Sequence, residues 1–265
     1  METIIDWKRI TTAIYHKADR KYTIDEITDK VIPILSKLSE ITGEYTSYRK
    51  TLTIIGSQLL LGSPKVIVPV CPDYSHENDL YTMKYVLSDI SLVAQKHVNF
   101  IKHVSTIIPE LQVEFLVADQ ESEDELLCCK MGLDKDKFLE RIIKSKDALQ
   151  RSISQFGWSA QLMTNVFPNL VMRENELTQI IQSNDAHKRL IEYDTSNRDS
   201  LYAKIDATLS REEKIKRTVR TAAQYYSLGE FCATHGYFVC NHTTTNLAWY
   251  TKAGVGIIHN PVRIY

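Results

Sequence analysis

The chain has 265 residues, with 32 Lys and Arg against 33 Asp and Glu, 43% hydrophobic and 25% charged residues. This is the composition of an ordinary globular protein, not of a disordered, collagen-like or supercharged one, and the balanced charge argues against a surface that grips nucleic acid all over. No apolar run reaches the roughly 18 residues of a membrane span, and the opening METIIDWKRI carries charges where a leader would be apolar, so a cytoplasmic protein without membrane attachment is expected.

In chain order, residues 1–60 read as helical. Ile27, Val31, Ile34, Leu35 and Leu38 recur at the spacing of one helix face. Residues 66–70 then form a short apolar run closed by Cys71, Pro72 and Asp73, which predicts a buried strand, with a helix expected from about Asn78. The same grammar returns at 111–117, ending in Ala118 and Asp119 before an acidic, helix-prone stretch. Strand and helix alternating in this way imply right-handed crossovers and a parallel sheet. Residues 133–153 follow as a helix with Phe138, Ile142, Leu149 and Ile153 on one face. Residues 210–231 open on Ser210 and Glu213, the spelling of a capping box, and predict one long helix. Apolar runs at 237–240 and 255–258 supply later strands. With 9 Gly, 7 Pro and no linker-like stretch, one domain is expected over 1–265: helical decoration over 1–60 on a Rossmann-like core over 61–265.

In such sheets reactive groups gather beyond the carboxyl ends of the strands, so the turns at Cys71 and Asp119 matter most. Cys71 precedes an expected helix N-terminus, where a thiolate is favoured, although a free cysteine is more often a small buried apolar residue. Five cysteines, Cys71, Cys128, Cys129, Cys232 and Cys240, form an odd set with an adjacent pair, which points to reduced thiols. The acids after Asp119 are accounted for by the helix dipole, while Asp119 itself keeps a functional reading. Lys137, Arg141, Lys144 and Arg151 share a helical face suited to a phosphate backbone, with acids interspersed that equally suit a salt-bridged surface. Cys232, His235, Cys240 and His242 lack structural zinc spacing, and no metal is expected. The polar run 241–246, with Asn241 and Asn246 at its ends, reads as a loop able to hydrogen-bond a ligand. No phosphate loop, dinucleotide fingerprint or G-x-S-x-G elbow is present.

Tyr226, Glu230 four residues on and Tyr250 twenty residues after that stand in the frames AQYYSLGE and AWY. This spacing resembles the cyclodipeptide synthases, with Cys71 before Pro72 in place of the family's nucleophilic serine. Over about residues 60–252 the resemblance implies a Rossmann-like parallel sheet flanked by helices, as in class I aminoacyl-tRNA synthetase catalytic domains. It also implies an aminoacyltransferase that joins residues from two aminoacyl-tRNAs into a diketopiperazine without a cofactor. On that reading Cys71 takes the aminoacyl group as a thioester. Glu230 binds its amine, Tyr226 orients it and Tyr250 assists proton transfer. Pro69, Asp73, Asp119, Asn241 and Asn246 face the substrate, and Lys137, Arg141, Lys144 and Arg151 hold the tRNA.

The strand-Pro-Asp turn is also similar to that of isocyanide synthases, which implies an enzyme on the same fold acting on a free amino acid. A facial triad for iron is not evident for that alternative, because His235, His242 and His259 lie in separate local contexts. A third alternative is a non-catalytic binding module using the 241–246 loop.

Overall fold

The computed structural model describes residues 5–42, 49–70, 75–76, 83–84, 92–130, 132–196, 207, 209–242 and 247–261. Four helices come first: α1 (Trp7–Lys17), α2 (Ile24–Lys30), α3 (Ile32–Ile41) and α4 (Arg49–Leu60). The stripe expected as one helix is divided at Val31, because Pro33 cannot donate to an unbroken helix. It sits instead in the first turn of α3, where no donor is needed.

The sheet is built from β1 (Lys65–Val70), β4 (Gln112–Val117), β5 (Ser159–Leu162), β6 (Tyr237–Asn241) and β7 (Ile257–His259). These strands are parallel and lie side by side in the order β5-β4-β1-β6-β7. The chain builds outward from β1 in one direction and then in the other, so the reversal falls between β1 and β6. This is a Rossmann-like α/β fold. A separate two-stranded ladder joins β2 (Ser75–His76) and β3 (Met83–Lys84), and the helix start expected at Asn78 lies outside the described residues. The remaining helices are α5 (Leu92–Ile107), α6 (Glu125–Lys130), α7 (Lys135–Ile153), α8 (Met163–Val166), α9 (Leu170–Ser183), α10 (Asp185–Ser196), α11 (Arg211–His235) and α12 (Leu247–Ala253). The capping box of α11 forms as read, with Ser210 and Glu213 bonding reciprocally, and left-handed Gly236 ends the helix. Among the described residues no helix is long and apolar enough to cross a membrane.

Alternate residues of each strand face opposite layers, and both layers are apolar. Val66, Val68, Phe115 and Phe238 face the layer that also buries Ile10, Leu35, Leu52 and Ile55 of the first helices. Ile67, Leu116 and Val239 face Leu228 and Cys232 of α11 and Tyr250 of α12. A glycine inside a helix costs about 1 kcal/mol against alanine, and Gly229 in α11 is there because α12 approaches closely. A Cβ on it would lie 3.0 Å from Ala253 Cβ and 3.4 Å from the Trp249 carbonyl oxygen. Gly229→Leu is expected to force the two helices apart and cost about 1–3 kcal/mol, measured as a lower urea midpoint. An unchanged midpoint would refute this packing.

Pro69 shortens one ladder of the sheet. Gln112 N–H bonds to Pro64 O and Ala118 N–H to Val70 O, so in β1 the backbone groups of even-numbered residues serve β4 and those of odd-numbered residues face β6. The donor that Pro69 lacks would therefore have faced β6. The β1–β6 ladder runs only from Lys65 to Ile67, whereas β1–β4 continues to Val70. Hydrogen bonding between β1 and β6 therefore ends before the carboxyl edge, at the point of reversal where α/β sheets hold their ligands. Pro69 is a buried strand residue at that point.

Candidate active site

At the carboxyl end of β4, Asp119 is 3% exposed. One of its carboxylate oxygens accepts Thr164 N–H at 3.0 Å and the other accepts the Thr164 hydroxyl. Thr164 follows β5, so this carboxylate ties the ends of two neighbouring strands. Beside it opens a cavity of about 420 Å³ whose lining includes Asp119, Thr164, Phe167, Leu170, Glu174 and Arg220. Arg220 of α11 lies 3.5 Å from the Glu174 carboxylate of α9 and donates to the Glu123 carbonyl at 3.2 Å. One turn earlier on α11, Arg217 pairs with Asp124 at 2.5 Å, both largely buried. The cavity therefore offers a guanidinium and carboxylates beside apolar side chains on one lining. Sequence reasoning singled out Asp119 and missed Thr164, Glu174 and Arg220, whose convergence depends on the strand order.

Two of the expected catalytic residues meet through an unforeseen third. Arg173 of α9 pairs with Glu230 and places its guanidinium 5.3 Å from the centre of the Tyr226 ring. Lys252 stands 5.7 Å from the same ring, and Trp249 contacts it edge-on. Burial lowers the affinity of Lys252 for its proton. Tyr226 and Glu230 are thus bracketed by cations. Tyr250 is fully buried and packs edge-to-face on Tyr225 at 5.6 Å, on the inner side of α11. The cavity beside Asp119 is lined from α11 by Arg220 and Ala223, which lie toward the N-terminal side of Tyr226 and Glu230. Cys71, Asp73 and Asn246 lie outside the described residues.

At the ends of β6 and β7 the structure corrects the expectation that the histidines are scattered. His242 follows β6, and β7 pairs Asn241 with His259, so the register brings His259 close enough to His242 to disfavour its charge. His97 of α5 joins them, its Nε2 lying 2.9 Å from His242 Nδ1. Asn241 and Asn260 are each 1% exposed. Asn241 accepts the backbone N–H groups of His242 and Asn260 at 2.9 and 2.8 Å, which fixes the strand ends. Burial, and next the neighbouring His242, push His97 down to about 3. Burial, and next His259, push His242 down to about 4. His235 stays apart at the C-terminal end of α11, stacked on Phe231.

On α7 the expected apolar face is buried. Of the expected tRNA-facing residues, Lys137 pairs with Asp134 at 2.9 Å and Lys144 with Glu140 at 2.6 Å, both at the surface. Arg141 and Arg151 share that helix. Such exposed pairs contribute little stability.

No family model matches the chain, and no curated protein matches it. In fold it is similar to the crystal structure of the PvcA protein from Pseudomonas aeruginosa, with a TM-score of 0.50 over 88% of this chain and 82% of that one. The two sequences are 11% identical, so the likeness is one of fold.

Proposed function

We propose that the chain is a biosynthetic enzyme, similar to the isocyanide synthases, that acts on a free amino acid held at the carboxyl edge of the sheet without tRNA. The observation that carries this reading is the apposition of Arg220 and Glu174 in the wall of a cavity of about 420 Å³, within the roughly 300–1,000 Å³ of small-molecule sites. An amino acid carries both opposite charges, so its carboxylate suits Arg220 and its ammonium suits Glu174, each replacing the internal partner. The fold likeness to PvcA supports the isocyanide-synthase resemblance and gives the tRNA-dependent reading no added support.

The test is a calorimetric titration of the purified protein with each proteinogenic amino acid, with saturable binding of one or a few expected. Absence of binding, together with diketopiperazines in the medium of an expressing bacterium, would replace this reading by the tRNA-dependent one. Arg220→Ala removes a charge-assisted bond of about 1.5–3 kcal/mol, so affinity is expected to fall by roughly 10- to 150-fold. Unchanged affinity would place the ligand elsewhere.

A further inference from the structure

The hydrogen bonds at the ends of β6 and β7 run in one direction, and a single amide sets it. Asn260 Nδ2 has only protons to offer and lies 3.3 Å from His97 Nδ1, so Nδ1 accepts and a neutral His97 carries its proton on Nε2. That Nε2 is 2.9 Å from His242 Nδ1. His97 donates, His242 accepts, and the proton of His242 is thereby placed on its own Nε2. His97 is fully buried, while His242 is half-buried, so the chain begins in the core and ends on the ring nearer to solvent. His242 stands directly after β6, at the carboxyl edge of the sheet.

We propose that Asn260, His97 and His242 form a directed relay whose outer end, the Nε2–H of His242, binds the carbonyl or carboxylate oxygen of a metabolite at the carboxyl end of β6. The roles follow from the bonding. His242 is no general base, because its Nδ1 lone pair is engaged by His97 and its Nε2 already carries a proton. Nor is it a cationic donor, because burial keeps both rings neutral. A neutral imidazole N–H held in place is suited to an oxygen that gains negative charge during reaction, since the donor is already oriented and its bond strengthens as the charge develops. Asn260 and His97 are positioning residues, and Asn241 supports them through the strand ends. The relay stands whether or not that metabolite is an amino acid.

Long-range proton–nitrogen NMR of histidine-labelled full-length protein at neutral pH tests this directly. Both His97 and His242 are expected to be neutral with the proton on Nε2. A proton on Nδ1 of either ring would overturn the relay. In Asn260→Asp the new carboxylate accepts where the amide donated, so His97 is expected to gain a proton on Nδ1, a change that a purely space-filling role for Asn260 would not produce. Should that variant fail to fold, the wild-type reading still decides. Acetate and acetone are the ligand probes. A shift of the His242 Nε2–H signal with acetate identifies a carboxylate site, and with acetone a ketone site. No shift with either removes the oxygen-binding role. Loss of amino-acid binding at Arg220 would leave these signals unchanged, so the two proposals fail separately.

Discussion

Phe115→Ala is expected to lower stability by about 3–5 kcal/mol, the usual cost of emptying a fully buried phenylalanine position. Phe115 is 0% exposed in β4, opposite Val68 of β1 and Ala160 of β5, with Trp158 packed against its ring. A void there cannot close easily, because it is bounded by two hydrogen-bonded strands that hold their spacing. Against a typical total of about 5–15 kcal/mol, the loss is large enough to leave the variant partly unfolded at moderate temperature. Phe115→Leu keeps more of the volume and is expected to cost roughly 1.5 kcal/mol or less. Urea midpoints of the two variants provide the check, and a loss below about 1 kcal/mol for the alanine variant would contradict the central place of β4 in the sheet.

Acid is the second strong lever. His97 and His242 have folded-state values of about 3 and about 4 against an ordinary 6.5. Between those limits the unfolded chain binds protons that the folded rings refuse. The stability associated with these rings is therefore fully present above about pH 6.5 and is lost as pH falls toward 4. Each histidine contributes up to about 1.4 kcal/mol per pH unit over that interval. His97→Gln removes one of the two refusing groups, so the loss of stability between pH 6.5 and 4.5 is expected to be about half as steep as in the parent. Equal slopes in parent and variant would mean that the folded rings take up protons near their ordinary value.

Much of the fold could be read from residue order. The run that became β1 is apolar on both faces and that of β4 is apolar over its carboxyl half, and Ser210 with Glu213 marked the start of α11 correctly. What escaped did so for identifiable reasons. The four residues of β5, Ser159–Leu162, are too few and too polar to show a period, and they are a strand because β4 offers them a partner. The division between α2 and α3 hinged on a single proline inside an otherwise continuous stripe. Asp119 was legible because it ends a recognisable strand. His97 was not, since it reads as one polar position in a helix until the sheet order places it against a residue 145 positions away. Arg173, Glu174 and Arg220 escaped for the same reason: a charge on a helix declares its face, not its counterpart.

Because the sheet grows first to one side of β1 and then to the other, the order of synthesis is also an order of assembly. The corner at Asp119 and Thr164 can close once the first half of the sheet has emerged from the ribosome. The chain beginning at Asn260 has to wait until the last strand is made. A nascent polypeptide halted before β7 would carry β6 as a bare edge, able to pair with a stranger.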